Sequence, residues 1–173
     1  TALSNTPGAV FDVLLRNDGS EPLAGRLAFS FPGPTAAEAG FPAGFARRDL
    51  ADGLRGVTIT GGGIGWTLAV AGDGPVMTGT GLGVDTGSWA SLGSGLAGYS
   101  LWHIPHRIPA AGPTDAGACV AVDFSLEPGA SRTVRFILSW YAPTWMSGGS
   151  PTAEGKRYTH MYATRYKDSE EVA

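Results

Sequence analysis

Val120, Val122, Phe124 and Leu126 fall on alternate positions, with Ala121, Asp123 and Ser125 between them. After Glu127-Pro128-Gly129-Ala130 the pattern resumes, and Val134, Phe136, Leu138 and Trp140 alternate with Thr133, Arg135, Ile137 and Ser139. A period of two belongs to strands, because successive side chains of an extended backbone point to opposite faces. Each strand then carries an apolar face that must be covered, most simply by a second sheet. Proline presets its own φ and glycine accepts positive φ, so the four residues between the runs read as a turn. Residues 118–126 and 131–141 are predicted to form an antiparallel hairpin.

Two further hairpins are predicted on the same grounds. Residues 9–16 and 23–31 flank Asn17-Asp18-Gly19-Ser20-Glu21-Pro22. In the second of these runs Leu23, Gly25, Leu27, Phe29 and Phe31 face one way, while Ala24, Arg26, Ala28 and Ser30 face the other. Residues 55–60 and 64–71 flank Gly61-Gly62-Gly63. That glycine run lacks the Lys-Ser/Thr of a phosphate-binding loop and the helix of a dinucleotide fingerprint, so a hairpin turn explains it. Stretches 32–51 and 79–98 are rich in Gly, Ala and Ser. Structureless loops of that length usually serve function or pack on a neighbour. Helical pattern is confined to the end, where Asp168 is a candidate N-cap followed by Glu170 and Glu171. A helix of one turn is not stable alone. The expectation is therefore that this chain is a segment of a longer polypeptide.

Several function classes fall away on composition. A length of 173 residues suits one domain. Charged residues make up 16%, the net charge is −3, and no basic surface for a phosphate backbone is expected. No apolar run reaches the roughly 18–20 residues of a membrane-spanning helix. The lone cysteine, Cys119, allows neither an internal disulfide nor a thiolate zinc site. It heads an alternating apolar strand without adjacent cations, and is expected to be a small buried hydrophobe.

The densest group of functional side chains is Trp102-His103-Ile104-Pro105-His106-Arg107. Pro105 opposes a helix, and on an extended segment His103 and His106 face opposite ways, so a shared ion is not expected. They read as structural histidines or as part of a domain contact. No Gly-x-Ser-x-Gly elbow is present. Most carboxylates sit in turn contexts, where Asp is favoured for backbone reasons. Asp123, on the polar side of its strand, is expected to be solvated. None stands in a setting that would raise its pKa as a glycosidase acid requires. Five Trp and five Tyr could stack on sugar rings or be buried against a partner domain. Trp140 belongs to an apolar strand face and reads as core. Trp89, Trp102 and Trp145 lie in loop-like contexts and are the exposed candidates. No cofactor and no metal are expected.

Residues 117–145, GACVAVDFSLEPGASRTVRFILSWYAPTW, resemble the closing strands of the N-terminal domain of glycoside hydrolase family 116, the β-glucosidase and non-lysosomal glucosylceramidase type. That pattern is a strand, Leu-x-Pro-Gly, a strand ending Phe-x-Leu-x-Trp, and a proline. Residues 157–173, RYTHMYATRYKDSEEVA, are similar to the Tyr-Thr segment that leads into the family's helical catalytic domain. Residues 85–96, DTGSWASLGSGL, resemble its Trp-x-x-Phe-x-x-Gly-x-Leu stretch, with Leu92 where an aromatic is usual. Residues 11–30 resemble its Asn-x-Gly-x-x-Pro hairpin. Tyr141 stands where many relatives carry Asp.

The resemblance implies an all-β, antiparallel two-sheet β-sandwich over residues 1–145. It implies that 146–173 link to, and start the first helix of, an (α/α)6 domain that this chain does not contain. The nucleophile and acid/base carboxylate of the family reside in that barrel, so no catalytic residue carries over. The implied role is a non-catalytic accessory domain, with the (α/α)6 domain of the same polypeptide as its partner. Trp89, Trp102, His103, His106 and Trp145 are the candidates for a domain contact or the rim of the substrate site. The alternative is a stand-alone carbohydrate-binding module using Trp89, Trp102 or Trp145. Arg far exceeds Lys, and with the Ala and Gly richness this leans toward a GC-rich bacterial genome and a cytoplasmic setting.

Overall fold

The computed structural model describes residues 6–50, 53–72, 75–82, 116–147 and 155–173. Strands run in the order β1 (Gly8–Arg16), β2 (Leu23–Phe31), β3 (Ala46–Asp49), β4 (Arg55–Gly61), β5 (Ile64–Ala71), β6 (Val76–Gly79), β7 (Ala118–Leu126), β8 (Ser131–Tyr141), β9 (Thr144–Met146) and β10 (Arg157–Thr159). A 3-10 turn (Met161–Thr164) and a one-turn helix, α1 (Ser169–Val172), follow. One sheet has the order β1-β8-β5-β4-β3, a second β2-β7-β6, and β9 and β10 pair by themselves. All pairings are antiparallel. The expected two-sheet β-sandwich is the fold.

The alternating residues meet between the sheets. Phe136, Val134, Val57, Ile59, Leu68, Val120 and Val122 form the buried core, with Leu27, Phe29 and Phe31 of β2 packed against it. Phe29 stacks on Phe136 at 5.3 Å between ring centres and lies 4.8 Å from Phe11. Burying apolar surface, aliphatic and aromatic, on both inner faces is the main term holding the layers together. Within residues 32–50, Phe45 is buried in this core and packs edge-on against Trp66 at 5.6 Å, and Ala39 and Phe41 pack against the core.

Two of the three predicted hairpins are instead arches. β1 pairs with β8 and β2 with β7, so residues 17–22 carry the chain from one sheet to the other. Residues 127–130 do the same in the reverse direction between β7 and β8. Alternation specifies a buried face but not whether the next strand lies beside it or across the core. The third hairpin is as predicted. Gly61 pairs with Ile64, and Gly62 and Gly63 take φ +59° and +79°. Positive φ at both central residues makes a type I′ turn, whose twist matches the flanking strands.

Asn17 joins the two arches. It is almost fully buried, and its Nδ2 donates to the carbonyls of Glu21 (2.8 Å) and Leu126 (3.0 Å). Its Oδ1 accepts from the Gly19 amide, its own amide donates to Ala130 O, and its carbonyl accepts from Gly129 N. The open end beside β3 is closed differently. Arg47 donates twice to Gly117 O, and Thr78 donates to Asp49 at 2.6 Å.

Candidate functional site

The features with chemical potential lie where the chain leaves β8. Tyr141 ends that strand, and β9 and β10 then form a short hairpin with Trp145 opposite Tyr158. Their rings stack at 4.8 Å and 22°. Trp145 also lies 6.3 Å from the His160 ring, which stacks on Tyr162 at 5.1 Å and 11°. Tyr162 in turn meets Tyr141 edge-on at 6.1 Å. Five rings thus run in contact from the hairpin to the end of β8. The far end is fixed, because Tyr162 Oη donates to Ala142 O (2.6 Å) and accepts from Ala142 N (3.0 Å). The hairpin end is open. Trp145, Met146, Tyr158 and Met161 are 47%, 59%, 43% and 76% exposed.

After the 3-10 turn the chain returns to the outer face of the five-stranded sheet. Asp168 is the N-cap, as its sequence context predicts, and its Oδ1 accepts from Glu171 N at 2.8 Å. Glu171 reaches back to the amide of Lys167 at 2.7 Å. Ser169 is buried, with its hydroxyl 2.9 Å from Thr67 Oγ1, which is 3.1 Å from Thr58 Oγ1. Ser139 Oγ donates to the Ser169 carbonyl at 2.5 Å, and Arg48 pairs with Glu170. A four-residue helix cannot persist on propensity. This seam of hydroxyls holds it, and Gly65 makes room, since a Cβ there would come 3.2 Å from Ser169 Oγ.

Between the β4–β5 turn and this segment lies a groove of about 360 Å³, lined by Thr60, Gly61, Ile64, Gly65, Tyr141 and residues 167–169, with Gly63 at the turn. It adjoins the row of rings through Tyr141.

The carboxylates with perturbed titration are not in the groove. Asp123 lies opposite Arg26 on the outer face of the three-stranded sheet, with contacts of 2.6 and 3.0 Å. It is paired rather than simply solvated. Asp12 pairs with Arg135 at 2.7 and 2.8 Å across β1 and β8. Hydrogen bonds from the guanidinium groups hold both carboxyls below the ordinary value of 3.8. A general acid would need the opposite shift. Cys119 is fully buried, and desolvation pushes its thiol up to about 12. This agrees with its reading as a small hydrophobe. Among the described residues no three of His, Cys, Asp and Glu gather as a metal would require, and no helix is long and apolar enough to cross a membrane.

Of the candidates read from the sequence, Trp145 is described, while Trp89, Trp102, His103 and His106 lie outside the described residues. Trp145 sits on strand β9 and not in a loop. One of its ring faces is taken by Tyr158, so it is the spine of a stack more than a free platform. Trp140, read as core, is 38% exposed. It lies near the end of β8, opposite Trp66. Sequence reasoning missed Tyr158 and His160 as partners of Trp145, and Tyr162 as the partner of His160 and Tyr141. The available signal was the aromatic recurrence in RYTHMYATRY.

No curated protein matches the chain. Among protein families, residues 97–173 match the one described as "beta-glucosidase 2, glycosyl-hydrolase family 116 N-term". The match takes in β7, β8, the aromatic hairpin and α1. Over residues 97–173 the chain is thus similar to the N-terminal domain of glycosyl-hydrolase family 116, the family its sequence resembles.

Proposed function

We propose that this chain is the non-catalytic accessory domain of a β-glucosidase-like glycoside hydrolase and braces an (α/α)6 catalytic barrel in the same polypeptide. The parent enzyme would hydrolyse β-glucosides or glucosylceramide-like substrates by a retaining, two-carboxylate mechanism. In this reading residues 1–145 are the sandwich and 146–173 connect it to the barrel.

The supporting observation is the exposed hairpin. Trp145, Met146, Tyr158 and Met161 are exposed large apolar side chains of β9, β10 and the turn that follows, within the stretch that matches the family. Exposed apolar side chains concentrated on one hairpin suit an interaction surface. The two carboxylates driven to lower pKa values are locked to arginines on other faces, which suits a structural role for them.

The test is a paired assay with p-nitrophenyl β-D-glucoside. The 173-residue chain is expected to release no nitrophenol, while the full-length polypeptide encoded by its gene does. Turnover by the 173-residue chain alone refutes the accessory role.

A further inference from the structure

We propose that the groove between the β4–β5 turn and residues 167–169 is a binding site for one β-glucoside ring. The proposal rests on the family reading only for the choice of glucoside among neutral sugars.

A pyranose ring has an apolar C–H face and a hydroxyl edge, and this groove offers both complements. Tyr141 supplies an aromatic wall. Thr60, Lys167 and Asp168 stand at the polar side. The helix cap uses only Oδ1 of Asp168. A cation and an anion on the same rim disfavour a phosphate and a bare cation alike, and suit a neutral polyol that both donates and accepts. The volume of about 360 Å³ is at the lower end of the roughly 300–1,000 Å³ of small-molecule sites, which limits the ligand to one or two rings.

The site is also preorganised. Tyr141 is backed edge-on by Tyr162, whose hydroxyl is tied to both polar groups of Ala142. The opposite wall is fixed by the Ser169–Thr67 and Ser139–Ser169 hydrogen bonds. Walls held in place before binding lose little freedom when the ligand arrives. The Trp145–Tyr158 stack does not share this shape, since its rings cover each other's faces.

The experiment titrates methyl β-D-glucoside and cellobiose into the 173-residue chain and follows amide NMR shifts. Saturable shifts are expected at residues 60–65, 141 and 167–169, with a dissociation constant of order 1 mM. Tyr141→Leu should weaken binding about tenfold or more, and Thr60→Trp, which fills the groove while leaving the Tyr141–Tyr162 contact intact, should abolish it. Trp145→Ser should leave it unchanged. Absence of saturable shifts in the folded wild-type chain overturns the proposal. So does binding that Trp145→Ser removes and Thr60→Trp spares, or equal binding of glycine as a zwitterion. None of these outcomes touches the nitrophenyl glucoside assay of the accessory role, so the two readings fail separately.

Discussion

The side-chain amide of Asn17 donates to the carbonyl of Leu126 across 109 residues of sequence, at 3.0 Å and out of contact with solvent. Asn17 opens the Asn-x-Gly-x-x-Pro stretch and Leu126 opens the Leu-x-Pro-Gly stretch, so the two motifs recognised in the sequence are halves of one clamp. Removing the amide leaves the Leu126 and Glu21 carbonyls without that donor. Asn17→Ala is expected to cost about 2–3 kcal/mol, since orphaned buried polar groups carry their full desolvation penalty. For a domain of this size the melting temperature should fall by roughly 5–10 °C. Asp18→Ala, on the exposed side of the same arch, should stay within about 0.5 kcal/mol of the parent in the same calorimetry.

The hydroxyl seam makes a separate prediction. Ser169→Ala keeps the size of the side chain nearly constant and removes its bond to Thr67. Hydrogen exchange of residues 169–173 should accelerate by roughly tenfold, equivalent to about 1.4 kcal/mol of local opening, while β7 and β8 keep their protection. Uniform acceleration across both sheets would mean that α1 is part of the global fold and not a docked appendage.

Arg26 and Asp123 give a pH signature. The native pKa of Asp123 lies below its ordinary 3.8, so the pair adds stability above that value and loses it as pH falls through the native pKa. Stability of the wild-type chain should therefore decline with acid below about pH 4. Asp123→Asn should show a shallower decline in that window. The pair is partly exposed, so the effect is modest and should shrink in high salt.

Cys119 should be silent toward thiol reagents. Its thiol is fully buried and shifted up to about 12, so almost no thiolate exists at pH 8. Native chain should not react with Ellman's reagent within the time in which denatured chain reacts completely.

Alternation in β2, β7 and β8 identified which residues line the core, and Leu27, Phe29, Val120, Val134 and Phe136 lie there. It did not identify which strands are neighbours, because an arch and a hairpin bury the same faces. The Gly62-Gly63 turn was legible because a two-residue loop with two positive φ values has few solutions. Asp168 was legible as a cap for the same local reason. The row of rings was not. Tyr141, Trp145, Tyr158, His160 and Tyr162 come together only through the pairing of β9 with β10 and the 3-10 turn after it. Ser169 was equally silent, since a serine after an N-cap looks solvated until a sheet with Thr58, Thr67 and Ser139 is laid against it.

The bracing role is tested most directly by hydrogen exchange at residues 144–161, measured in the 173-residue chain and in the full-length polypeptide. Contact with the barrel should bury Trp145, Met146, Tyr158 and Met161, so exchange across β9 and β10 should slow by tenfold or more in the full-length protein, and Trp145→Ser with Tyr158→Ser should restore the fast rate. Equal exchange in the two proteins would contradict the account, because the exposed hairpin would then face solvent in both.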